Sequence, residues 1–125
     1  MTTDEERITV AKTYKLYLGG AFPRTESGRT IKVTDAKGKL LANTCRASRK
    51  DCREAVVAAR AACHGWAARS GYNRGQILYR AAEMLEGRSE QFIEELRAGG
   101  ATAAKAKREV STSVDRLVHY AGWSD

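Results

Sequence analysis

A single proline, Pro23, and only two histidines, His64 and His119, occur in the 125 residues. No apolar run approaches the roughly 20 residues that a membrane-crossing helix requires. The start, Met1-Thr2-Thr3-Asp4-Glu5-Glu6-Arg7, is polar and acidic, the opposite of a secretory leader. No membrane association is therefore expected, and the expected location is the cytoplasm. The three cysteines, Cys45, Cys52 and Cys63, are odd in number and irregularly spaced, which argues against a disulfide framework. There is no CxxC pair, so a zinc site drawn from Cys45, Cys52, Cys63 and His64 lacks the usual ligand spacing, and no metal is expected.

Nucleotide and hydrolase signatures are also missing. There is no GxGxxG, and neither Ser-Gly pair belongs to a GxSxG elbow. The stretch Ala98-Gly99-Gly100-Ala101-Thr102-Ala103-Ala104-Lys105 has the glycines of a phosphate loop. It lacks the Gly-Lys-Ser/Thr ending, and a helical pattern rather than a strand precedes it. Cys63 and His64 are neighbours, but adjacent residues on a helix point about 100° apart, which is poor geometry for sharing a proton. All three cysteines are expected to pack as small apolar side chains. His119 is expected at a surface or interface. No catalytic, cofactor-binding or metal-binding residue is therefore assigned.

What is present is an ordinary globular composition, 42% hydrophobic and 30% charged, with a formal charge of +7. Residues 37–53 hold six basic side chains against one acidic. They run through a turn, a strand and a helix start with no aromatic interleaved for stacking, so they read as a solvated surface rather than a nucleic-acid face.

The first third has β character. Tyr14, Leu16 and Leu18 alternate with Lys15 and Tyr17. Gly19-Gly20 makes a turn, and Glu26-Ser27-Gly28 makes another. Thr30 to Thr34 alternates again, and Asp35-Ala36-Lys37-Gly38 closes a hairpin onto Leu40 to Cys45. These predict a small antiparallel meander of three strands.

The rest is helical. Ser48-Arg49-Lys50-Asp51 is a capping box with Asp in place of Glu. Cys52, Ala55, Val56, Ala59, Ala62, Cys63 and Trp66 then follow on one stripe, which predicts a helix packed closely on another element and ending near Gly65. A second helix is predicted from about Asn73 to Glu86, ended by Gly87 in the left-handed conformation. Ser89 is expected to cap a short third helix, stopped by Gly99-Gly100. Thr102 is expected to cap a fourth, which carries Ala106, Val110, Val114, Leu117 and Ala121 on one face. The fold class is α/β: antiparallel strands followed by four helices, in one segment over 1–125. Within it, 1–12 is a tail, 13–46 the hairpin region and 48–123 the helical region.

Five stretches, in this order, resemble the opening of the aldehyde dehydrogenase superfamily. They are Leu16-Tyr17-Leu18-Gly19-Gly20-Ala21-Phe22, Ser27-Gly28-Arg29-Thr30-Ile31-Lys32-Val33-Thr34-Asp35, and Ala55 to Ala62 with Gly65-Trp66. The other two are Arg74-Gly75-Gln76-Ile77-Leu78-Tyr79-Arg80-Ala81-Ala82-Glu83-Met84-Leu85-Glu86 and the ending Tyr120-Ala121-Gly122-Trp123. The resemblance implies a parent enzyme that oxidises aldehydes to acids, or to acyl-coenzyme A, with NAD or NADP. It also implies that the catalytic cysteine, the general-base glutamate and the cofactor loop lie downstream of this segment. None is expected in this chain, and no cofactor is expected for it alone. Its implied role is architectural, packing on the cofactor domain and walling the substrate tunnel, where Arg108 and Thr112 match tunnel positions one helical turn apart. The implied partner is the remainder of such a chain, or a second copy. Three local departures from the pattern are Cys63-His64 in place of Phe-Pro, Ala98 to Lys105 without Thr-Gly-Lys, and Ala36 in place of a turn proline. The alternative is a free-standing, non-enzymatic module that binds protein or nucleic acid.

If the +7 charge is only a solvated surface, duplex DNA will bind weakly, without sequence preference, and the binding will fade steeply with salt. Electrophoretic mobility shifts across a salt series check this; sub-micromolar binding that persists at physiological salt would favour the nucleic-acid module.

Overall fold

Alternation of apolar and polar residues gives three strands in the computed structural model, which describes residues 10–125. The polar start Met1 to Arg7, part of the expected tail, lies outside the described residues. The strands are β1 (Thr13–Tyr14), β2 (Thr30–Thr34) and β3 (Leu40–Cys45), and four helices follow.

The β2–β3 hairpin is antiparallel, as expected, running from Thr30 opposite Cys45 to Thr34 opposite Leu40. Its turn is organised by Asp35, whose carboxylate accepts from the amides of Lys37 (2.8 Å) and Lys39 (2.9 Å), while Gly38 takes a φ of 81°. The first strand departs from the meander. It pairs in parallel with β3, Thr13 opposite Asn43 and Tyr14 opposite Thr44, so the order is β1-β3-β2. The cause lies in residues 16–23, which fold on themselves instead of extending the strand. Leu18 and Ala21 exchange amide hydrogen bonds of 3.0 Å, and the Leu16 amide reaches the Pro23 carbonyl at 3.0 Å. Gly19 (φ 60°) and Gly20 (φ 80°) supply the two left-handed residues that such a tight turn demands. The stretch 15–29 is then long enough to carry the chain past β3 to its far side.

Helix α1 (Arg49–Ala67) starts at the expected capping box. The Ser48 hydroxyl accepts from the Asp51 amide at 3.2 Å, and the Asp51 carboxylate accepts from the Ser48 amide at 2.7 Å. Asp51 reaches further than its own helix: it also takes the Thr25 hydroxyl and, at 3.2 Å, the Glu26 amide. Thr25 and Asp51 are both buried, at 5% and 7% exposure. The Ser48 amide above all, then the Thr25 hydroxyl, holds the Asp51 carboxyl down to about 2 from its ordinary 3.8.

The other helices are α2 (Gly71–Gly87), α3 (Ser89–Ala98) and α4 (Ala103–Gly122). Helix α2 begins earlier than the sequence predicts, because the Ser70 hydroxyl caps it by accepting from the Asn73 amide at 3.1 Å. Gly87 is the last residue of α2 and is not among the glycines with positive φ, so no left-handed cap ends that helix. Ser89 does not cap α3. It is the first helical residue, after an Arg88 that makes no side-chain cap. A single residue thus separates the two helices, which leaves no room for a capping loop. The Gly99-Gly100 stop holds: Gly100 has a φ of 103°, and the amides of Gly100 and Ala101 return to the carbonyls of Arg97 and Leu96. Thr102 caps α4 as expected, accepting from the Lys105 amide at 3.3 Å.

Packing is concentrated between α2 and α4, with α3 also against α4. The buried apolar side chains are all small or medium, namely Ala42, Ala82, Ala106 and Val110. Small residues let backbones approach. A Cβ on Gly75 would sit 2.8 Å from the Ala121 carbonyl oxygen, and one on Gly71 would sit 2.6 Å from the Asp125 Cα. The expectation that the α1 stripe is packed is not met. Asp51 is the only buried residue of α1; Val56 is 48% and Trp66 42% exposed. Cys52 and Cys63, expected in a packed environment, are exposed for the same reason, and Cys45 is half-buried with its thiol donating to the Tyr14 carbonyl. The chain exposes 10695 Å², where a folded protein of this mass exposes about 6,600 Å².

Two outcomes follow from these features. Because the folded-state pKa of Asp51 lies below its unfolded value, the carboxylate stabilises the fold above about pH 4, and that contribution is lost as pH falls from 3.8 through about 2. Asp51→Asn will flatten this acid limb in a pH series of denaturant melts, and Ser48→Ala will cost about 1 kcal/mol at neutral pH. Separately, the uncovered stripe of α1 predicts concentration-dependent association, binding of apolar dyes and a broad thermal transition. A monodisperse monomer with a sharp melt in sedimentation and calorimetry would show that the 125 residues close their own core.

Candidate functional site

Each residue turns a helix by about 100°, so α4 has two sides of different character. Ala106 and Val110 are buried and Leu117 and Ala121 half-buried on the side toward its neighbours. Arg108 and Thr112 occupy the other side; Arg108 is exposed and Thr112 half-buried. The same side continues through Asp115, His119 and Trp123. The His119 imidazole lies 5.8 Å from the Trp123 ring at a 33° tilt, and meets the edge of Tyr120 at 5.2 Å. His119 is exposed, as expected of a surface or interface residue. Arg108 has no ion-pair partner among the described residues, whose pairs are Lys50–Glu26 and Arg80–Glu83.

An open groove of about 640 Å³ lies over the α2–α4 contact. Gly71 and Gly75 form its floor, and Tyr72, Tyr79 and Val118 give it apolar walls. Sequence reasoning did not single it out. The available signal was the spacing of Gly71 and Gly75, four residues apart on one face of α2. A smaller hollow of about 220 Å³ lies between α3 and α4, and one of about 350 Å³ lies beside Asp51. Arg108 and Thr112 line none of these three.

Cys63 and His64 are both exposed near the carboxyl end of α1, and neither is hydrogen-bonded to the other. No three of His, Cys, Asp and Glu gather around one point among the described residues. The glycine turn before α4 does not fit a dinucleotide. It joins two helices rather than a strand to a helix, and the Thr102 hydroxyl already takes the Lys105 amide that a phosphate would need. No step of hydride transfer is assigned to these residues.

Residues 22–125 match the profile of the aldehyde dehydrogenase family. Among curated proteins, the chain is 30% identical over 125 residues to cytosolic 10-formyltetrahydrofolate dehydrogenase of Mus musculus, an alignment covering 96% of this chain and 14% of that protein. Among solved structures, the NAD-dependent benzaldehyde dehydrogenase of Corynebacterium glutamicum superposes with a TM-score of 0.84 at 30% identity, over 89% of this chain and 25% of that one. The NAD-dependent aldehyde dehydrogenase of Sinorhizobium meliloti gives 0.84 at 25% identity, over 97% and 25%. Lactaldehyde dehydrogenase of Escherichia coli, at 22% identity over 92% and 24% and a TM-score of 0.87, shares the fold. The chain therefore spans a quarter or less of these relatives, and the partial fold expected from the sequence is borne out. Since the family profile covers residues 22–125, most of its length, this chain belongs to the aldehyde dehydrogenase family.

Proposed function

We propose that residues 1–125 act as one N-terminal segment of an NAD(P)-dependent aldehyde dehydrogenase-like oxidoreductase, in the cytoplasm. Its task is to support the cofactor domain and to wall the substrate tunnel; it performs no catalysis alone. The observation that carries this reading is the combination of a full family superposition with an uncovered α1. A chain that superposes over nine-tenths of its length on NAD-dependent aldehyde dehydrogenases leaves Val56, Val57 and Trp66 in water. Such a face gains stability only when another apolar surface covers it. The occupant in this reading is the remainder of an aldehyde dehydrogenase chain, with self-association as the substitute when that is absent. NAD or NADP is bound by that remainder.

The tunnel assignment rests on the α4 face described above. Arg108 and Thr112 are one turn apart and turned away from the packed side, where a substrate could reach them. They line the tunnel and touch no reacting atom. A guanidinium and a hydroxyl there would orient the aldehyde through its remote groups.

The isolated chain will not reduce NAD or NADP with aliphatic or aromatic aldehydes, as read from the absorbance of the reduced nicotinamide. Reduction that disappears when Cys45, Cys52 or Cys63 is replaced by serine would refute the architectural reading. In a complete enzyme carrying these residues, Thr112→Trp will raise KM for bulky aldehydes severalfold and leave KM for the nicotinamide cofactor unchanged. Equal effects on both substrates would move Thr112 out of the tunnel.

A further inference from the structure

Neither α1 nor α4 ends on a left-handed glycine. The residue after α1, Ala68, has φ −72° and ψ −14°, and the residue after α4, Trp123, has φ −96° and ψ 9°. Backbone amides take the last carbonyls instead: Ala68 and Arg69 return to His64 and Trp66, and Trp123 and Ser124 to Tyr120 and Ala121. The chain at the end of α1 and the residue two beyond α4 are joined by one side chain. The Arg74 guanidinium, on the first turn of α2, donates through one nitrogen to the carbonyls of Ala67 (3.4 Å) and Arg69. Through its other terminal nitrogen it donates to the Ser124 carbonyl at 2.8 Å. A cation near a helix carboxyl end is also favoured by the helix dipole, and here one cation lies close to the ends of both α1 and α4.

The backbone around this side chain is arranged for that reach. Gly71 and Gly75, on either side of Arg74, admit the end of α4 to distances at which any Cβ would collide with Ala121, Ser124 or Asp125. The contact is thus within the span of a single guanidinium. It matters because α1 is not among the elements packed substantially on α4, so side-chain burial does not tie the two ends together. A planar guanidinium presents donors in two directions at once, which the point charge of a lysine ammonium on its flexible four-carbon stem does not reproduce.

We propose that Arg74 is a bridge that couples the α1–α2 turn to the residue following the cap of α4, so that the last turns of α1 and α4 open and close together. This makes the α1–α2 turn a latch: what loosens the end of α1 is transmitted to the Trp123 end of α4. The inference is independent of the tunnel reading, since it concerns neither Arg108 nor Thr112.

Amide hydrogen exchange on the 125-residue chain tests it. The amides of Ala68 and Arg69 bond back to the carbonyls of His64 and Trp66, and those of Trp123 and Ser124 to Tyr120 and Ala121, so each pair reports one end. The Ala101 amide, bonded to the Leu96 carbonyl at the end of α3, serves as the control. Arg74→Gln will speed exchange at both pairs by roughly tenfold, as expected for losing two guanidinium bonds at the α1–α2 turn and one at Ser124, and leave Ala101 unchanged. A response at one end alone, or at neither, overturns the proposal. Should Arg74→Gln fail to fold, Arg74→Lys takes its place: one ammonium cannot hold both directions, so exchange is expected to speed at both pairs, and a response at one pair alone or at neither overturns the proposal.

Discussion

One carboxylate ties the loop before β2 to the start of α1. Asp51 accepts from its own helix cap at Ser48 and from Thr25 and the Glu26 amide, 25 or 26 residues earlier. The loop between the Leu16–Pro23 turn and β2 is thereby held against the start of α1 by hydrogen bonds to a single group. A charge held at 7% exposure survives there only because every partner is a donor, so that solvation by water is replaced rather than lost. The energetics are those of a polar junction, and no large apolar side chain in this half shares the work. Val33 is half-buried, Ile31 is exposed, and Ala42 is the only apolar residue of the sheet that is fully covered.

The α2–α4 contact works by the opposite principle. It replaces side-chain interdigitation with backbone proximity, using Gly71, Gly75, Ala82, Ala106 and Ala121. Close approach increases dispersion per unit length but buries little apolar area. That explains how four well-formed helices coexist with the finding that no large side chain is fully buried among the described residues. Three of the four helices also carry a hydroxyl cap at their start, at Ser48, Ser70 and Thr102.

The features legible in the sequence were those set by near neighbours. The Ser48–Asp51 box, the Thr102 cap, the Asp35–Gly38 turn and the Gly99-Gly100 stop each follow from a few adjacent residues, and each is found. What was not legible depended on distant partners. Parallel pairing of β1 on β3 is invisible to alternation, which fixes faces but not neighbours. The stripe through Cys52, Val56, Cys63 and Trp66 gave the right face and the wrong environment, because periodicity states which side is apolar and not whether anything covers it. Gly87 and Ser89 misled for a different reason: both have the chemistry of helix ends, yet α2 and α3 follow each other too closely to use it. Of the candidate site, the helix that carries Arg108 and Thr112 was legible from periodicity, while the groove over Gly71 and Gly75 needed the packing of α4.

Helix α1 is folded without being protected. Its cap and hydrogen bonds keep it helical, while Val56, Val57 and Trp66 remain available to whatever apolar surface arrives first. Inside a cell, chaperones and proteases recognise that condition, and they act on exposure rather than on loss of secondary structure. Wherever that face stays uncovered, lifetime is governed by exposure to this machinery more than by the free energy of unfolding.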